Sequence, residues 1–146
     1  MRVELFWERC WEPEEVDTVE QAVMFAKEFF NLKGGKLEVL LDDKLESGSV
    51  AEAFRLSKKK FMLAVSKEAI RDTEDLLKCV FHEMTHIKQY KHNGLRFGAK
   101  KVELGGQKYP FKDSIDYWLS PWEMEARAME DALLFFWGEA NEKCSS

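Results

Sequence analysis

Histidine is scarce in this 146-residue chain, at three residues, and cysteine and proline are no more frequent, at three each. Cys10, Cys79 and Cys144 are odd in number and scattered, with no C-x-x-C spacing, so they outline neither a disulfide framework nor a cysteine-built metal module. Reduced thiols in a cytoplasmic protein are the expectation. No segment approaches the ~18 consecutive apolar residues of a membrane span, and Met1-Arg2-Val3-Glu4-Leu5 is too polar for a secretory leader. A net charge of −5 argues against a dedicated nucleic-acid binder. The one basic run, Lys58-Lys59-Lys60, reads as a solvated turn between strands. Core material, by contrast, is plentiful. A hydrophobic content of 45%, with five tryptophans and eleven phenylalanines, supports one globular domain over residues 1–146 and excludes a disordered chain.

The pattern along the chain is α+β, without repeats or linkers. Val3 to Trp7 is a short strand, and Val16 to Asn31 is an amphipathic helix that ends near Gly34-Gly35. Leu37 to Leu41, Val50 to Leu56 and Phe61 to Val65 read as strands, separated by Asp42-Asp43, Gly48 and the lysine run. A hairpin is expected about Gly105-Gly106, between Lys101–Leu104 and Gln107–Tyr109.

Two of the three histidines stand in His82-Glu83-Met84-Thr85-His86, which spells H-E-x-x-H. The segment Asp72 to His92 reads as one helix, with Asp72 or Thr73 as N-cap, Glu74 and Asp75 at its positive end, and Gly94 after the last turn. At about 100° per residue, Leu76, Leu77, Val80, Met84 and Ile87 form one face, and His82, His86 and Gln89 fall opposite. Histidines four apart can both reach a single Zn²⁺, and the glutamate between them can take a proton from water at the metal's open position.

A catalytic zinc takes a third protein ligand. His92 has the spacing of the third histidine in H-E-x-x-H-x-x-G-x-x-H metzincins, but Gln89 stands where that pattern has glycine. On an unbroken helix His92 would lie about 9 Å along the axis from His86 and face elsewhere. It reads better as a helix C-terminal histidine. The other source is Ser120 to Glu130, where Ser120 as N-cap and Pro121 open a second helix carrying Glu123 and Glu125. Its apolar stripe is Trp122, Ala126, Met129, Leu133, Phe136 and Trp137, and Ala126, Ala128 and Ala132 would permit close approach to the His82 helix.

The H-E-x-x-H helix, followed by Tyr117 and by P-x-E-x-E-A at Pro121 to Ala126, resembles small gluzincin-type zincin metallopeptidases. The resemblance covers about residues 72 to 132. It implies a zincin-like fold, with a small, mostly antiparallel sheet packed on an active-site helix and a C-terminal glutamate-bearing helix. It also implies Zn²⁺ held by His82, His86 and Glu123, with Glu83 as general base for hydrolysis of a peptide or protein substrate. An edge strand would bind that substrate by β-augmentation. Glu125 is the rival ligand, because Ser120 and Glu123 also form a capping-box pattern. Arg127 occupies the position where the family commonly has an aspartate that orients a histidine, which leaves that orienting partner open. Tyr90, Tyr109 and Tyr117 are each possible donors to an oxyanion. The alternative function is a non-enzymatic module that keeps the scaffold and binds a partner peptide or protein.

Overall fold

β1 (Arg2–Trp7) leads into α1 (Pro13–Phe29), which begins earlier than the apolar pattern suggests. Pro13 sits in the first turn, and Glu12 and Glu15 form a capping box that satisfies the helix start. The chain described in this computed structural model comprises residues 1–98, 101–110 and 119–145. After α1 it turns through Gly34 and Gly35 into β2 (Lys36–Asp42). Gly35 has φ +82°, and a Cβ there would lie 2.7 Å from the Lys59 carbonyl oxygen, so two segments can approach only because the position is glycine. β3 (Ala51–Ser57), β4 (Lys60–Ser66), a short 3₁₀ turn (Lys67–Ala69) and α2 (Thr73–His92) follow. A second, small sheet is made of β5 (Arg96–Phe97), β6 (Lys101–Leu104) and β7 (Gln107–Pro110), and α3 (Pro121–Ser145) comes last. The arrangement is mixed α+β, and among the described residues no helix is long and apolar enough to cross a membrane.

The sheet against the helices has the order β1-β2-β4-β3 and is not mostly antiparallel. β1 pairs with β2 and β2 with β4 in parallel; β3 alone runs antiparallel, along β4. Connectivity explains both outcomes. α1 carries the chain back to the starting edge between β1 and β2, which forces a parallel pair, whereas the tight Lys58-Lys59 turn makes β3 and β4 a hairpin. Antiparallel pairing otherwise occurs in the small sheet, including the expected hairpin of β6 and β7.

One face of the main sheet is covered by helices. Leu37, Val39 and Leu41 of β2 and Phe61, Leu63 and Val65 of β4 are buried against Val19, Ala22, Val23 and Ala26 of α1 and the apolar face of α2. Full burial of each large side chain contributes about 1.5–3 kcal/mol, which fixes the roll of α2 about its axis. The opposite sheet face carries a ladder of charges, Glu4–Lys36–Glu38–Lys60, at 3.2–3.4 Å.

α2 starts on Asp72, whose carboxylate accepts from the Asp75 N–H at 2.8 Å, and all five residues of its expected apolar face are buried. Phe81 joins them, edge-on to Trp137 of α3 at 6.0 Å. On α3, Trp122, Ala126 and Leu133 are buried. Phe136 is 43% exposed and Ala128 is exposed, so the contact with α2 is narrower than the expected stripe. Trp122 also roofs a second cluster with Leu95 and Val102 under the small sheet. Tyr117 and the side chain of Cys144 lie outside the described residues.

Candidate metal centre

With its apolar face buried in the core, α2 presents the opposite face to the first turns of α3. The result is a concentration of buried polar groups in an otherwise apolar interface: Glu83, His86 and Gln89 from α2, and Glu123 from α3. Isolated burial of such groups costs several kcal/mol, so each must be paired or must have another reason to be there.

His82, His86 and Glu123 meet. His86 Nε2 lies 2.8 Å from Glu123 Oε1, and His82 Nε2 lies 3.1 Å from Glu123 Oε2. One donor atom from each of the three falls within 4.8 Å of the others. Donors at roughly 2.0–2.1 Å from a tetrahedral metal lie about 3.3 Å apart, so a Zn²⁺-sized ion needs only small outward shifts of these side chains. Glu125 is elsewhere: its carboxylate accepts from Lys88 at 3.0 Å and from the Gln89 amide at 2.9 Å. His92 ends α2, exposed, with Nε2 3.2 Å from the Phe30 carbonyl.

Each imidazole is held by its second nitrogen. The Gln89 amide nitrogen donates to the Trp122 carbonyl and to Glu125, both at 2.9 Å, which leaves the amide oxygen to accept from His86 Nδ1 at 2.8 Å. His82 Nδ1 donates to Glu130 at 2.6 Å. Nδ1 of each ring therefore donates away from the cluster, and both Nε2 atoms face the Glu123 carboxylate, so ligating a metal would require each Nε2 to give up its proton. Neither Glu130 nor the Gln89 contact follows from the motif. Glu130 is two turns beyond Glu123 on the same face of α3, and Gln89 is three residues beyond His86; helical spacing is the signal that could have found them.

The electrostatics follow the contacts. Burial disfavours a charged His82, but the hydrogen bonds to Glu123 and Glu130 outweigh it and raise its pKa to about 10. His86 is raised against burial chiefly by Glu123. Glu123 is driven well below the usual carboxylate range, because the two histidine hydrogen bonds overcome its own desolvation.

Glu83 differs from these groups. It is 8% exposed, burial pushes its pKa up against the pull of His86 and His82, and among the described residues its carboxylate makes no hydrogen bond. It lines two cavities, of about 700 Å³ and about 730 Å³, that open on the His86 and His82 sides of the cluster. Ser49 and Ala51 also line both. β3 thus lies along a cleft whose floor is Glu83 and the cluster.

The Ser66 N–H donates to the Val50 carbonyl at 2.9 Å, so alternate residues of β3 turn their backbone groups to β4. Those of Ala51 and Ala53 face the free edge. The Tyr90 hydroxyl donates weakly to the Ala53 carbonyl at 3.4 Å, and burial pushes that phenol up to about 12. Tyr109, whose hydroxyl bonds Gln107 at 2.9 Å, is not among the residues lining the cleft. No family model matches the chain, and no curated protein or solved structure matches it.

Proposed function

We propose that this chain is a small zinc metallopeptidase with a zincin-like, gluzincin-type domain. The observation that carries the reading is the convergence of His82, His86 and Glu123 beside a buried, hydrogen-bond-free Glu83, at the bottom of a cleft bordered by the free edge of β3. His82, His86 and Glu123 would hold the ion. When bound, zinc supplies Lewis acidity, lowering the pKa of water from ~15.7 toward ~7 and polarising an amide carbonyl.

The chain's own residues do the rest. Ala51 and Ala53 offer backbone donors and acceptors to an extended peptide, which sets its carbonyl over the cluster. Glu83 accepts the proton of the attacking water and passes it to the leaving amine as the C–N bond breaks, returning to carboxylate. A carboxyl group whose pKa is raised by burial suits both halves of that transfer. Glu130 and Gln89 keep the two imidazoles aimed throughout.

The rival reading, a binding module on the same scaffold, has use for the β3 edge but none for Glu83. A carboxylate in the floor of the cleft, without a hydrogen bond among the described residues and with its pKa raised by burial, is suited to exchanging a proton there, which favours the enzyme.

Two measurements bear on this directly. Reconstituted protein should bind about one Zn²⁺ per chain and cleave members of an unbiased peptide library, with activity lost to a chelator and restored by zinc. Cleavage indifferent to chelation would overturn the metal reading. Glu130→Ala should weaken zinc binding by ~10–100-fold in a competition titration, with Glu130→Gln partly restoring it through its amide oxygen. Unchanged affinity in Glu130→Ala would remove that residue from the site.

A further inference from the structure

The two ends of the cleft differ in how their cations are used. On the His82 side, Arg71 is paired with Asp75 at 3.6 Å, and Lys78 lies 3.9 and 3.8 Å from Glu74 and Asp131. On the His86 side the wall carries Arg55 and Arg96, and among the described residues neither has an ion-pair partner. Arg55 has only the Ser57 carbonyl, at 3.2 Å from its Nε, which leaves its terminal nitrogens for other partners. The same lining holds the carboxylates Glu52, Glu83 and Glu123; Glu123 is paired with the two histidines and Glu52 accepts from the Ser47 hydroxyl, so Arg55 and Arg96 are the cations of this cavity left to meet an anionic ligand.

The same cavity also has an apolar part. Leu95 is fully buried, and Tyr90 and Phe97 stand edge to face with ring centroids 6.2 Å apart. Phe97 is braced by Trp122 at 6.1 Å yet remains 55% exposed. A cavity of about 700 Å³ is in the range that holds a sizeable ligand, such as a short peptide segment.

We infer that, on the His86 side of the bond to be cut, the cleft selects a bulky apolar residue next to a carboxylate, the first packed on Tyr90 and Phe97 with Leu95 behind them and the second held by Arg55 and Arg96. This substrate preference rests on the peptidase reading. The recognised chemistry is one carboxylate in reach of two planar donors; an acidic side chain and a free peptide C-terminus both supply it. An alkylammonium in the same place would meet like charge.

The test uses zinc-loaded Glu83→Gln protein, so that binding is read without turnover. Fluorescence anisotropy is measured for matched peptides with a central phenylalanine flanked by Glu, Gln or Lys, each made with a free C-terminus and as the amide. The Glu peptides should bind roughly tenfold more tightly than the Lys peptides, with Gln between, and added salt should narrow the gap. Tighter binding of the free acid, lost in the amide, would assign the carboxylate to the chain terminus; a Glu preference in both forms assigns it to the side chain.

Arg55→Gln/Arg96→Gln should flatten the order, and Arg55→Glu/Arg96→Glu should invert it. Equal affinity for all the peptides, no binding of any, or a Glu preference that survives both double variants overturns the inference. Wild-type enzyme that binds the Glu peptides in this order and cleaves none of them would instead count against the peptidase reading.

Discussion

Glu83→Gln is expected to lower peptide-bond cleavage by at least ~10²–10⁴-fold while the protein keeps its zinc and its fold. Glutamine has nearly the shape of glutamate, so the α2–β3 contact should survive, and Glu83 is not one of the three groups that meet at the cluster. What would be lost, on the proposed reading, is the group that takes the proton from water and gives it to the amine. A second consequence runs the other way. The native carboxylate is buried and has no hydrogen bond among the described residues, so a neutral amide should leave the unfolding temperature unchanged or higher. Loss of activity together with loss of zinc or fold would make Glu83 structural. Equal inactivity of wild type and variant toward library and candidate partners, with zinc bound in both, would hand the chain to the binding-module reading.

Glu123→Ala should abolish zinc retention through dialysis, because two imidazoles alone rarely hold a catalytic ion against water. Glu125→Ala, two positions away, should keep about one zinc per chain, since Glu125 is occupied by Lys88 and Gln89. It should instead loosen the α2–α3 contact and lower stability modestly. His92→Ala should alter neither property appreciably, since among the described residues its one hydrogen bond is with the Phe30 carbonyl at the end of α1. Retention of zinc in Glu123→Ala with loss in Glu125→Ala would shift the ligand by two residues. Loss in His92→Ala would place the site in the metzincin arrangement.

The elements of this fold were more legible in the sequence than their order. α2 could be read because its 3.6-residue period, its cap at Asp72 and its glycine stop agree, and the structure keeps all three. The strands also fell close to their predicted places. The parallel pairing of β1, β2 and β4 was not legible, for a physical reason: a parallel sheet is ordinarily apolar on both faces, whereas here the outer face holds the Glu4–Lys36–Glu38–Lys60 ladder. β2 alternates between buried and half-buried positions, and that alternation is what an antiparallel strand with one wet face looks like.

At the site, His82, His86 and Glu123 could be named because a motif and a resemblance mark them. Glu130 and Gln89 could not be assigned roles, since a glutamate or glutamine on a polar helix face gives no hint of its partner until two helices are docked. Arg127 stands where the resemblance implies an orienting carboxylate; the carboxylate that bonds His82 Nδ1 is one turn later, at Glu130.

His82 and Glu123 are 41 residues apart in the chain, and they touch only because α3 folds back onto α2. An ion gripped from both helices would close the intervening segment as a covalent cross-link does, restricting the unfolded ensemble as well as joining the folded one. Gln89 ties the same joint from the other side, since the amide that aims His86 also holds the Trp122 backbone. One side chain thus joins the aim of His86 to the docking of the two helices. On the proposed reading, free zinc concentration would become a variable of folding, each tenfold rise above the dissociation constant adding about 1.4 kcal/mol to the stability of the folded chain.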